Sequence, residues 1–158
     1  MVWGVASGMS SNSGLDEHGS SIRVAHLRLG WLFIFIFGVF GLGLEALHGF
    51  KVSWYLDVGQ ETRHLMLRLG HAHGTLLGLV NIAFALTVEN LYACGRDGAK
   101  PSKLVKVASV LLPGGFITGG LFPYDGDPGL GILLVPIGAI SLIIAAGSIY
   151  RGLGSKTT

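Results

Sequence analysis

Residues 30–50 read GWLFIFIFGVFGLGLEALHGF, and this stretch decides the fold. From Trp31 to Phe37 it is continuously apolar, without the polar–apolar alternation that a half-buried strand or a barrel strand needs. Crossing about 30 Å of hydrocarbon takes roughly 20 mainly apolar residues as helix, and a helix satisfies its own backbone hydrogen bonds in lipid. Three further stretches qualify: 69–91, 104–122 and 130–150. The expectation is an all-α chain, an integral membrane four-helix bundle over residues 26–151. Flexible tails are expected at 1–25 and 152–158. The first 20 residues are rich in Gly and Ser and lack the basic start and apolar core of a signal peptide.

Composition points the same way. The 158 residues are 50% apolar and 13% charged, where soluble domains carry about 25% charge. Between Leu29 and Phe50 the one Asp, Glu, Lys or Arg is Glu45, and between Pro128 and Tyr150 there is none. This excludes a conventional soluble surface, and also disorder, which needs low hydrophobicity and high charge. A net charge of +2, scattered along the chain, gives no footprint for nucleic acid. The single cysteine, Cys94, excludes an intramolecular disulfide framework and a cysteine-built zinc site.

Basic residues set an expected orientation, because short cytoplasmic loops carry the excess of Lys and Arg. With the N-terminus inside, the inner side collects Arg23, Arg28, Arg96, Lys100, Lys103, Lys106, Arg151 and Lys156, against Lys51, Arg63 and Arg68 outside. The aromatic residues Trp54, Tyr55 and Tyr124 then fall near the outer interface, with Trp31, Tyr92 and Tyr150 near the inner one. The chain is thus expected in a cell membrane, multi-pass, N-in and C-in, with both termini cytoplasmic.

Glycine spacing indicates which faces pack, since small residues let helix backbones approach in lipid. Gly30, Ile34, Gly38, Gly41, Glu45 and His48 share an arc of the first helix, and Gly70, Gly74, Gly78 and Asn81 form a stripe on the second. The fourth carries Gly138, Ser141, Ala145 and Ser148. Pro113-Gly114-Gly115 interrupts the third, where proline removes an N–H and a kink is expected.

Ionisable groups inside spans are costly and are functional suspects. Here they gather toward the expected outer boundary. Glu45 lies about 26 Å along the axis beyond Arg28 at 1.5 Å per residue, with His48 one turn further. On the returning helix His71 and His73 reach a similar depth and His64 projects above them. Glu45-x-x-His48 has the spacing that lets a carboxylate and an imidazole serve one metal. His64, Arg68 and His71 share an arc, so packing of the two glycine faces would bring His71 to Glu45 and His48. His73 points about 200° away from His71 on a straight helix and must serve a second neighbour, a haem or the interface. The metal candidates are therefore Glu45, His48, His71 and His64, and the haem candidates are His71, His73 and His48. Competing readings are an ion pair of Glu45 with Arg68 or Arg63, and a plain turn for Asp125 and Asp127 within Pro-Tyr-Asp-Gly-Asp-Pro-Gly.

Two stretches carry a family resemblance. His26-Leu-Arg-Leu-Gly30 leading into an aromatic-rich helix, followed by Ala72-His73-Gly74 on the next, resembles the first two helices of subunit I of the haem-copper oxidases and their shorter relatives. The resemblance covers about a third of the chain and implies that His73 is an axial ligand of a low-spin haem. No later helices provide the family's copper-binding histidines, so oxygen reduction is not implied.

Three functions follow as expectations. One is a redox or accessory membrane protein holding a b-type haem or a transition metal. Another is a non-catalytic structural or assembly subunit, as a homo-oligomer or within a larger membrane complex. The third is a proton or small-solute pathway through an oligomer, using Glu45, His71, Asn81 and Glu89. No nucleophile elbow, phosphate loop, Rossmann fingerprint or His-Glu-x-x-His helix is present, so catalysis would require a bound cofactor.

Overall fold

The computed structural model describes residues 6–56 and 61–154. Parts of both expected tails, including Lys156, lie outside them. The elements are α1 (Ala6–Gly49), a short α2 (Ser53–Leu56), α3 (Glu61–Ala93), α4 (Ala99–Leu121), a 3-10 turn (Leu130–Leu133) and α5 (Leu134–Leu153). Four segments are long and apolar enough to cross a membrane: His18–Gly49, Glu61–Ala93, Ala99–Leu121 and Leu130–Leu153.

The helices begin earlier than hydropathy suggests. Helix α1 is already formed at Ala6 instead of starting near residue 30, and α3 starts at Glu61 instead of 69. In the α1 extension, residues 19–26 include several that face a neighbouring helix. Arg23 pairs with Glu89 at 2.9 Å, Gly19 lies against the Tyr92 ring, and His26 is buried between helices. Tertiary contacts thus support as helix residues 19–26, part of which the sequence suggests is a tail.

Helices α1 and α3 run antiparallel along one seam. From the end that carries the α3–α4 turn, Gly19 meets Tyr92, Gly30 meets Gly78 and Ile82, Phe37 meets Gly74, and Gly41 meets His71. At the α2 end His48 lies beside His64. The two backbones meet at Gly30 and Gly78, where a Cβ on Gly30 would stand 2.7 Å from the Gly78 carbonyl oxygen and one on Gly78 would stand 2.9 Å from the Gly30 carbonyl oxygen. Glycine is needed here for backbone proximity. The buried positions of α1 are Gly19, His26, Gly30, Phe37, Gly41 and Leu44. The seam is therefore rotated from the expected arc, and Gly38, Glu45 and His48 stand exposed at its edge.

Helix α3 packs its other side on α4, with Leu77, Ala108 and Leu112 forming one core and Phe84, Val88, Leu91, Val105 and Ala145 another. Helix α4 in turn packs on α5 through Gly115 against Val135 and Gly138 against Leu112. Pro113 lies within α4, which is helical from Ala99 to Leu121. The four long helices pack mainly in chain order, α1–α3–α4–α5, and among the described residues α1 and α5 form no seam with each other. The bundle is therefore an open layer. Its outer helices expose Trp31, Phe35, Leu42, Ile137, Ile140 and Ile143, a surface suited to hydrocarbon and far too apolar for water.

The connections are short and locally determined. At the end of α3, Gly95 has φ +70°, while Arg96 N–H donates to the Leu91 carbonyl at 3.0 Å and Gly95 N–H to that of Tyr92 at 2.8 Å. This is a Schellman cap. Between α4 and α5, Tyr124 and Asp127 exchange backbone hydrogen bonds at 3.0 and 2.9 Å, with Asp125 and Gly126 at φ +49° and +84°. Both central residues of this turn are left-handed, which Asp-Gly favours.

Candidate functional site

The α2 end of the seam opens into a groove of about 770 Å³ between α1 and α3. Leu42 and Leu44 of α1 and Leu65 and Leu69 of α3 form apolar walls, and Glu45, Arg68 and His71 supply the polar groups. His71 is fixed by two contacts. Its ring lies across Gly41, where any side chain would collide with the imidazole, and its Nδ1 is 2.8 Å from the Phe37 carbonyl oxygen. A carbonyl only accepts, so Nδ1 carries the proton and, in the neutral ring, Nε2 keeps its lone pair. Glu45 is exposed on the rim and makes no ion pair among the described residues.

His73 belongs to a different surface. Its Nδ1–H donates to the Leu69 carbonyl at 2.8 Å, and its ring packs 4.7 Å from that of Phe116 on α4. The expected divergence of His71 and His73 is therefore present, and the second neighbour of His73 is α4.

His48 and His64 form a third group above the groove. Their ring centroids are 6.0 Å apart, and His64 also meets the Tyr55 ring edge-on at 4.6 Å. Burial pushes the Tyr55 hydroxyl above its ordinary range; Arg68 opposes the shift and Glu45 adds to it. Arg63 does not pair with Glu45. It donates to the Trp54 carbonyl at 2.9 Å and lies over the Trp54 ring at 4.7 Å.

The proposed ligands thus fall into subsets: Glu45 with His71 on the groove, His48 with His64 above it, and His73 on the α4 side. Among the described residues no three His, Cys, Asp or Glu side chains converge as a metal site. Asp125 and Asp127 belong to the α4–α5 turn, which Thr62 of α3 holds by a hydrogen bond to the Gly126 carbonyl.

A further polar centre lies toward the α3–α4 turn. His26 has 0% exposure. Its Nδ1 is 2.6 Å from Asn81 Oδ1 and its Nε2 is 2.8 Å from Ser102 Oγ, while Asn81 Nδ2 donates to the Leu77 carbonyl and to Ser109 Oγ, both at 2.7 Å. Sequence reasoning placed Asn81 on a packed stripe and missed His26 as a site residue. The available signal was its position one turn before Gly30, on the face that continues to Phe37 and Gly41.

Comparison with known protein families, with curated proteins and with solved structures finds no match for this chain.

Proposed function

We propose that this chain is a small multi-pass membrane protein that binds a b-type haem in the groove between α1 and α3, with His71 as the axial ligand. The observation that carries the reading is the state of His71. Its Nδ1–H is committed to the Phe37 carbonyl, which leaves Nε2 as a donor atom on a ring that lines the groove. A histidine that ligates a metal characteristically donates its other ring N–H to a carbonyl or carboxylate, which fixes the tautomer.

The scattering of the other candidates favours a macrocycle over a bare ion. A structural zinc or similar ion requires about four donors, and no set of three is assembled among the described residues. A porphyrin brings its own four nitrogens and asks the protein for one or two ligands. The groove volume falls within the range of about 300–1,000 Å³ for cofactor sites, its leucines would cover an apolar ring, and Arg68 would pair with a propionate. A haem held there would supply one-electron redox chemistry or bind a small diatomic ligand.

The resemblance to haem-copper oxidases assigns the ligand to His73; its Nδ1–H is committed in the same way, to Leu69, but its ring packs on Phe116 of α4 and does not line the groove, which favours His71 instead. The distribution of basic residues supports an N-in, C-in orientation, with the groove toward the outer face, and Pro113 supports a bend in α4. The open layer favours a second reading, a structural subunit whose exposed α1 or α5 face docks in a homo-oligomer or a larger complex. A continuous proton path has less support, because Phe37 packed on Gly74 separates His71 from Asn81.

The test is an absorption spectrum of the detergent-purified protein, as isolated and after haem titration, oxidised and reduced. A Soret band that His71→Ala abolishes and His73→Ala retains is expected. A folded protein that takes up no haem, while co-purifying stoichiometrically with a larger membrane protein, would replace this reading with the docking one.

A further inference from the structure

The buried centre around His26 is distinct from the groove, and each of its hydrogen bonds has a fixed direction. Asn81 uses its amide N–H groups on Leu77 and Ser109, so Oδ1 is the atom facing His26 and can only accept. His26 Nδ1 therefore donates. In the neutral ring Nε2 must then accept, and the Ser102 hydroxyl is its donor at 2.8 Å. Ser109 closes the network by donating to the Val105 carbonyl at 2.8 Å. Three helices are joined with no polar side-chain atom of the network left unpaired.

Both ring nitrogens face oxygen atoms. An imidazolium, which donates from both nitrogens, would find an acceptor at each: Asn81 Oδ1 unchanged, and Ser102 Oγ through a lone pair. The only rearrangement needed is rotation of the Ser102 hydroxyl proton. An alternative acceptor lies at i−4, the Gly98 carbonyl, to which Ser102 N–H already donates at 3.1 Å. The other buried serines of these helices use this bond, Ser109 to Val105 and Ser141 to Ile137, as serines in helices commonly do.

The two sides of the centre are unequal. Ser102 is itself only 3% exposed, but it lies in the first turn of α4, one turn from Gly98, where helix ends open most readily. In the other direction the chain of transferable protons ends at Asn81, whose amide has no labile lone-pair proton site, and beyond it Leu77 and the Phe37–Gly74 contact are apolar. The charged groups around the centre are Lys106 on α4 and, nearer the α3–α4 turn, Arg23 of α1 paired with Glu89 of α3; α5 presents none to it. We infer that His26 is a proton-binding site, loaded through the Ser102 hydroxyl from the membrane side that carries the α3–α4 turn, and constructed to hold its imidazole in either protonation state.

The loading step is a simple transfer. Ser102 passes its hydroxyl proton to Nε2 and takes one from hydronium that reaches Oγ when the first turn of α4 opens, so one proton is bound and nothing is oxidised or reduced. Because the relay stops at Asn81, the site stores a charge and does not conduct one across the membrane.

The test uses the full chain, ¹⁵N-labelled at histidine, in phosphatidylcholine vesicles, with the His26 resonances assigned by their absence from the His26→Gln variant. At neutral pH a protonated Nδ1 and an unprotonated Nε2 are expected. Acidification from the α3–α4 turn side alone should protonate Nε2 reversibly with the helices still packed, whereas acid on the opposite side alone should not. Ser102→Ala should shift Nε2 toward a free nitrogen and lose the one-sided response, and Ser102→Thr should retain it. A proton on Nε2 instead of Nδ1 at neutral pH, a ring that stays neutral until the helices separate, or an equal response to acid on either side would overturn the inference.

Discussion

At the scale of single residues, the α2 end of the seam depends on which way each ring is held. His71 and His73 are two positions apart, yet backbone carbonyls on different sides, Phe37 of α1 and Leu69 of α3, fix their Nδ1 atoms. Sequence periodicity captured their divergence, because a two-residue step turns a side chain about 200° around the helix. It could not supply the carbonyl partners, which depend on the rotation of α1 about its own axis. The same rotation moved Glu45 to the rim and brought His26 into the interior. Tyr55 makes a residue-scale prediction through pH. Its side chain is 2% exposed among Leu44 and Leu67, and burial raises its folded-state pKa. The folded state thus holds the phenol proton to higher pH than the unfolded chain does. The associated stability is fully present below the ordinary value of about 10 and is lost as pH rises through the raised folded value. Unfolding midpoints in detergent should fall on alkalinisation above about pH 10, and the fall should be smaller in Tyr55→Phe.

At the scale of helices, close approach between α1 and α3 is set by a few glycines, and their consequences are separable. A valine at Gly78 would drive a Cβ into the Gly30 carbonyl and Ile34, so the two backbones must move apart; overpacking of this kind costs about 1–3 kcal/mol. Gly43 has nothing within 4 Å of an added Cβ, and Gly43→Val should change stability by less than about 0.5 kcal/mol. Chemical denaturation of both variants in the same micelles checks the contrast, and equal effects would mean that the glycine seam is not what holds α1. The apolar middles of the four spans were legible in the sequence because lipid leaves few alternatives to a continuous apolar helix. Their ends were not. Arg23 and His26 lower the hydropathy where α1 continues, and their compatibility with a helix interface comes from partners on other elements, Glu89 and Asn81 of α3, which no local window contains.

At the scale of the whole molecule, the polar groups divide between the two ends of an antiparallel layer. The groove with Glu45, Arg68 and His71 lies toward α2, and the His26 centre lies toward the α3–α4 turn, with Phe37, Gly74 and Leu77 between them. Which end faces the cytoplasm therefore decides which compartment each site communicates with. In the proposed orientation, drawn by the positive-inside rule from eight basic residues on one side against three on the other, the α3–α4 turn lies inside. The chain carries its own reporter, since Cys94 lies on that turn, is partly exposed and is the single cysteine. A membrane-impermeant maleimide should leave Cys94 unmodified in intact spheroplasts and modify it after permeabilisation. With Cys94→Ser as background, Tyr124→Cys on the exposed α4–α5 turn should react in intact spheroplasts. If the two reactivities are exchanged, the orientation is reversed: the groove then opens toward the cytoplasm, and the proton bound at His26 comes from outside.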